Sequence, residues 1–310
     1  MGKFEFEVVT IAGIEKTGFL DMDLPQVKIV SHPGRAESRS EDLGNGVNLE
    51  LVAVPRGNFV MGSPNDEEWR NWNGNTFADI RDVNVEGPQH NVVINPFWMS
   101  KYPVTQAQWR SVAALPKVKR DLDPEPSNFQ GNHHPVESVF WCEAVEFCDR
   151  LSQKTGQKYQ LPSEAQWEYA CRGRTTTPFY FGETITTNLS NYRGTDWKFL
   201  DKTYPGFYGQ GTRGIYRQQT TEVGIFPPNA FGLYDLHANV WEWCLDNWHD
   251  NYQEAPTDGS AWVTGGDDSY RIVRGGSWLY FPGICRSATR HKYALNIWHI
   301  GIGFRIICCQ

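Results

Sequence analysis

The chain has 310 residues, with 36 acidic and 29 basic side chains and a formal net charge of −7. That length fits one large domain or two ordinary ones, and 40% hydrophobic with 21% charged residues marks a folded chain rather than a disordered one. A pI near 5.6 argues against a strongly basic nucleic-acid face. A mean hydropathy of −0.53 argues against a membrane protein, and no run approaches the roughly 18 apolar residues that a spanning helix needs.

Thirteen Trp, 13 Tyr and 17 Phe stand beside 29 Gly and 18 Pro. Many rings among many chain-reversing residues predict a loop-rich fold whose connections pack on aromatic side chains. In chain order, residues 4–11 alternate and are β-branched, as a strand requires. Residues 31–46 are polar and charged and read as a loop. Residues 47–62 read as two strands broken at Pro55–Gly57, 63–90 as a long surface loop, and 91–99 as a strand.

Three helices are expected. Thr105 caps one that runs to about Ala114, a second spans about Val139 to Leu151, and Ser163 with Gln166 has capping-box spacing for a third. Beyond Gly173 only 239–244, 270–274 and 301–307 look like strands. No internal repeat, low-complexity tract or linker interrupts the chain, so a single domain is expected.

Familiar catalytic signatures are missing. There is no GxxxxGK[ST], no GxGxxG opening a helix, no HExxH and no GxSxG. His133–His134 read as solvated loop histidines, and the remaining histidines form no ligand pair. The seven cysteines are odd in number, scattered and without a CxxC pair. Together with an N-terminus that lacks signal-peptide character, they predict reduced, mostly buried thiols in a cytoplasmic protein. Asp235 and Glu242 bracket a short non-helical stretch. They read either as surface carboxylates flanking a buried Trp241 or as hard oxygen ligands for Ca²⁺.

Several longer motifs occur in order: GNFVMGS (57–63), Pro103-Val104-Thr105, HPVESVFWCEAVEFC (134–148), LPSEAQWEYACR (161–172), FPPNAFGLYDLHANVWEWC (226–244), RIVRGGSW (271–278) and GFR (303–305). Together they resemble the formylglycine-generating, or sulfatase-modifying factor, family. The resemblance implies an α+β, loop-rich domain of the C-type lectin type with little regular secondary structure. Residues 1–46 fall outside the motifs, and their strand-like start reads as an N-terminal extension or edge strand of the same domain. It also implies a structural Ca²⁺ held by Asp235, the carbonyls of Ala238 and Val240, and Glu242. A second family Ca²⁺ site matches only at Asn191 and Tyr192, with Ile215 near the place of its Asp. Oxidases of this family carry two reactive cysteines shortly after GGS, where this chain has LYFPGI (279–284). Cys285 falls at a framework position, and a lone thiol cannot form a two-thiolate copper site, so no catalytic residue is expected.

The C-terminal segment 271–307 further resembles the variable region of diversity-generating retroelement proteins. There a fixed framework, here Arg274–Trp278, Cys285–Ala288, Arg290 and Gly303–Arg305, surrounds positions rewritten at adenines. The intervening residues are the expected ligand-binding side chains: Leu279, Tyr280, Phe281, Ile284, Thr289, His291, Lys292, Tyr293, Asn296, Ile297, Trp298 and His299. Leu, Tyr, Phe, Ile, Thr and His codons arise from an Asn codon by changing adenines, whereas those of Lys292 and Trp298 do not. An exposed aromatic set of this kind suits a protein ligand. Arg286 and Arg290 are expected to pair with buried groups rather than with ligand. The competing readings are an oxidase of the formylglycine-generating type and an inactive scaffold.

Overall fold

In the computed structural model, residues 2–16, 25–70, 84–199 and 202–309 are described. The fold is mostly β. The chain opens with a long antiparallel hairpin, β1 (Gly2–Lys16) and β2 (Pro25–Gly44), followed by β3 (Val47–Val54), β4 (Gly57–Met61), β5 (His90–Ile94) and β6 (Phe97–Ser100). Helices α1 (Gln106–Ala113) and α2 (Trp141–Thr155), strand β7 (Tyr159–Gln160) and helix α3 (Glu164–Arg172) come next. Then follow β8 (Trp197–Phe199), β9 (Lys202–Tyr204), β10 (Trp241–Trp248), β11 (Asp267–Arg274), β12 (Arg290–Ala294), β13 (Ile302–Gly303) and β14 (Ile307–Cys309).

Local chemistry accounts for the helix ends. Thr105 accepts the Gln108 N–H at 3.3 Å while the Gln108 side chain accepts the Thr105 N–H at 2.9 Å. Ser163 and Gln166 form the same reciprocal cap. Gly156 and Gly173 close α2 and α3 at φ 70° and 52°, a region that favours glycine.

A six-stranded sheet runs β1-β2-β3-β6-β14-β7, and a four-stranded sheet runs β12-β11-β10-β13. The smaller sheet has a core on both sides. One cluster gathers Trp167, Phe179, Leu236, Cys244 and Ile272, and the other gathers Trp109, Phe147, Trp241, Trp243, Val273 and Phe304. Cys148, Cys171, Cys244, Cys285 and Cys308 are buried, and all seven cysteines are free.

Residues 31–44 are strand, not the loop that their composition suggests. Polar and charged residues fill them because most of β2 is solvent-exposed, and composition alone cannot separate such a ribbon from a loop. The expected strand at 91–99 is two strands, separated at Asn95–Pro96. Of the expected loop 63–90, residues 71–83 lie outside the described residues, while Val85 and Glu86 are fully buried.

Candidate functional site: the C-terminal face

Cross-strand register sorts the C-terminal residues. Glu242 pairs with Arg274, which pairs with Arg290; Trp243 pairs with Val273, which pairs with His291. Directly paired residues share a sheet face, and successive residues alternate. The Glu242 face is therefore ionic and the Trp243 face aromatic.

On the ionic face and beside it stand four arginines, Arg274, Arg286, Arg290 and Arg305, all with no exposed surface. Arg290 grips Glu164 with two bonds of 2.6 and 2.9 Å. Arg305 grips Glu242 with two of 2.6 and 2.8 Å. Arg286 binds both oxygens of Glu86 at 2.7 and 2.9 Å and also pairs with Glu67. Arg274 bridges Glu164 and Glu168 and donates to the carbonyls of Ser287 and Ala288. Burial raises the Glu86 and Glu164 carboxyls, but the guanidinium beside each outweighs it and holds both below the usual range. Bidentate geometry with the remaining protons placed is the condition under which such pairs tolerate burial. Arg290, Arg305 and Arg286 have the bidentate grip, while Arg274 spans two carboxylates and its Nε has no partner among the described residues. Arg286 and Arg290 pair inward, as their sequence context suggests.

The turn after β11 needs its glycines. Gly275 and Gly276 sit at φ 98° and 79°, and a Cβ on Gly276 would come within 2.6 Å of Cys285 Sγ. The chain then folds Phe281 beneath a short 3₁₀ turn, Pro282–Ile284.

The twelve expected ligand-binding residues do not form one surface. Phe281, Ile284 and Thr289 have no exposed area and His291 only 7%. Phe281 packs against Trp69 and Tyr204, with centroids at 4.9 and 4.8 Å. These four side chains belong to the interior, because the 3₁₀ turn and the start of β12 press them against the core. Lys292 leaves the group for another reason. Alternation along β12 puts it on the ionic face, where its ammonium lies over Trp248 and Tyr270 at 4.9 and 4.6 Å.

Those that gather on the aromatic side are Tyr280, Tyr293 and His299, all half-buried. The Tyr280 and Tyr293 hydroxyls are 3.1 Å apart, and their rings lean on Trp241 and Trp243 respectively. Tyr293 also meets His299 at 6.1 Å. Burial raises both phenols and lowers the His299 imidazole, so all three present neutral groups. Leu279 is half-buried, and Asn296, Ile297 and Trp298 are exposed, Trp298 by 54%.

Sequence reasoning missed a second contributor, the segment around 193–216. The Arg193 N–H donates to the Tyr280 carbonyl at 2.9 Å. Its guanidinium lies over Tyr216 and Trp197, and Tyr216 stacks on Trp278. The signal was present as arginines and rings spaced among glycines, but nothing local ties that segment to the C-terminus.

Asp235 and Glu242 fit a cation unequally. Asp235 is buried with φ 56°; its Oδ2 accepts the Gly224 N–H at 2.7 Å, while Oδ1 has no partner among the described residues. Burial pushes its carboxyl up to about 7, and nearby Glu242 adds to the shift. An orphaned buried oxygen fits a hard cation. Glu242 fits less well, because Arg305 holds both oxygens and Trp167 Nε1 donates to Oε2 at 2.7 Å. One lone pair remains on Oε1. Among the described residues no group of three or more His, Cys, Asp or Glu could hold a metal.

A mostly β body with three α-helices among the described residues, carrying a C-terminal face on buried ion pairs, is a scaffold of the C-type lectin type. The chain belongs to the sulfatase-modifying factor enzyme 1-like domain family, whose model matches residues 40–309. It is 31% identical over 218 residues to the formylglycine-generating enzyme of Mus musculus, covering 69% of this chain and 51% of that one, so it spans about half of that relative's length. The inactive C-alpha-formylglycine-generating enzyme 2 of Bos taurus is 28% identical, with 77% of this chain and 79% of that one covered. Among solved structures, PvdO from Pseudomonas aeruginosa superposes with a TM-score of 0.66 at 30% identity, over 88% of this chain and 98% of that one. Treponema denticola variable protein 1 superposes with the same TM-score at 20% identity, over 88% and 99%, a likeness of fold.

Proposed function

We propose that the protein is a non-catalytic ligand-binding member of its family, the variable protein of a diversity-generating retroelement, acting in the cytoplasm on a protein ligand. The supporting observation is the contrast within the C-terminal segment. Arginines that anchor it are wholly buried and paired, whereas Leu279, Tyr280, Tyr293 and Asn296–His299 are half-buried or exposed. Such a frame lets tip residues change without moving the backbone that presents them. Tyrosine and tryptophan offer broad contact area at low entropy cost, which suits a protein partner.

The absence of oxidase activity is part of the proposal. Cys285, nearest to the GGS turn, has no exposed surface, and its Sγ donates to the Phe281 carbonyl at 3.6 Å. Burial pushes its thiol far up, away from the reactive thiolate. A structural Ca²⁺ is proposed at Asp235 Oδ1, with the Ala238 and Val240 carbonyls and the remaining lone pair of Glu242. Added Ca²⁺ should raise the melting temperature of the wild type and leave Asp235→Ala unchanged; an equal response of the two proteins would exclude this site.

The neighbouring DNA tests the main reading. A near-copy of the codons for 271–307, differing at adenines and lying beside a reverse transcriptase, is the expected finding; a locus with neither refutes the retroelement role. The oxidase reading is tested separately by incubating the protein with copper and a cysteine peptide derived from a sulfatase. Conversion of cysteine to formylglycine, read by mass spectrometry, would overturn the non-catalytic proposal.

A further inference from the structure

A cavity lies away from the C-terminal face, along the outer edge of the first strand. It measures about 1030 Å³ and is walled on one side by Ile11–Ile14 of β1, and on the other by the segments around Asp66, Glu183 and Tyr208. Its size is at the upper end of the roughly 300–1,000 Å³ range of ligand clefts.

Two features of this groove are unspent. The first is backbone. Among the described residues β1 ends its sheet and pairs only with β2. On its outer edge the Ile11 N–H reaches the Phe181 carbonyl at 2.7 Å, and no further backbone bond joins that edge to the body among the described residues. Beyond this point residues 12–16 and their partners 25–28 form a ribbon only two strands wide, since β3 pairs with β2 from Ser38 onward. A two-stranded ribbon is marginal in water, and an open edge is a template for another strand. Phe181 occupies the first rung of that edge, and the groove continues it.

The second feature is charge. Glu67 is paired with Arg286, but Asp66, Glu68 and Glu183 are exposed along the same groove with no ion-pair partner among the described residues. Three uncompensated carboxylates beside an open strand edge complement a cationic extended chain.

We propose that this groove takes an extended, lysine- or arginine-bearing peptide segment of a partner protein as an added strand on β1. Backbone pairing with residues 12–16 supplies the affinity, and the basic side chains are read by Asp66, Glu68 and Glu183. The site is separate from the C-terminal face and stands whether or not the retroelement reading does.

The test uses the full chain and a fluorescently labelled octapeptide of alternating Lys and Val. Two further peptides carry the same charges with alternate amides N-methylated, one in each phase, and spermine supplies charge without a backbone. Saturable binding by anisotropy is expected, with slower hydrogen exchange at residues 12–16. The double variant Asp66→Lys with Glu68→Lys should bind about tenfold more weakly while keeping its circular dichroism, since both side chains are exposed. One phase of N-methylation should abolish binding. No saturable binding overturns the proposal. So does equal binding of all three peptides, or displacement by spermine without exchange protection at 12–16, either of which would leave an acidic patch only.

Discussion

The two kinds of residue in the C-terminal segment differ in what surrounds them, not in their distance along the chain. Arg290 and Lys292 are two residues apart and share a face of β12; one is sealed against Glu164, Trp248 and Tyr252, while the other lies half-exposed at the edge of the same sheet. Phe281 and Trp298 are both large aromatics in irregular chain, yet one has no exposed surface and the other keeps 54%. Residue type therefore does not separate frame from tip in this protein. Register and turn geometry do.

The frame should break first under mutation. Arg286→Met would leave Glu67 and Glu86 buried without their cation, and a loss of about 3–5 kcal/mol is expected in a urea titration. Phe281→Ala sharpens the same contrast, because it removes a ring packed between Trp69 and Tyr204. The expected cost is also about 3–5 kcal/mol, the range for an interior Phe, with the cavity left open deciding where in that range it falls. A cost below about 1 kcal/mol would return Phe281 to the surface set.

An effect of similar size, but spread over several pH units, should follow pH. Asp246 is buried beside α3, with Oδ2 accepting the Glu164 N–H at 2.7 Å and Oδ1 the Trp262 N–H at 2.8 Å. Burial, then the charge of Glu164, push its carboxyl up to about 7 against 3.8 for an ordinary aspartate. The folded chain thus keeps a proton that the unfolded chain has released. This contribution is fully present below about pH 4 and is lost as pH rises through about 7. Its slope reaches about 1.4 kcal/mol per pH unit between those limits. Unfolding free energies at several pH values should show the fall in the wild type and a flatter profile in Asp246→Asn; equal slopes would mean that Asp246 is ionised in the folded protein.

Much of the frame was legible from sequence because its signals are local. Thr105 and the capping-box spacing of Ser163 with Gln166 mark helix starts, and both caps are present. Inward pairing of Arg286 and Arg290 is expected from their place in the framework of the resemblance. The tip set was legible only in part. Reading 279–299 as a string hides the alternation of β12, which sends Lys292 to one side and Tyr293 to the other. It also hides the 3₁₀ turn that buries Phe281 and Ile284. The approach of Arg193 to Tyr280 spans 87 positions along the chain, a contact that no local pattern encodes.

The tips should show the smallest stability effect and the sharpest functional one. Trp298 is the most exposed of the large aromatics on this face, and neighbouring Ile297 and Asn296 are exposed with it. More than half of Trp298 is exposed, so Trp298→Ala opens no sealed cavity and its unfolding free energy should change by no more than about 1 kcal/mol. If Trp298 is an anchor for a ligand, the same substitution should cost at least about 2 kcal/mol of binding, some thirtyfold in Kd, because a central aromatic carries a disproportionate share of interface energy. The pair of numbers matters more than either alone. A residue that supports the frame loses stability and binding together, whereas one that only touches a partner loses binding and keeps its melting temperature. Measured against Phe281→Ala in the same buffer, Trp298→Ala therefore decides whether the division between frame and tip is real: similar losses of stability in both variants would abolish it.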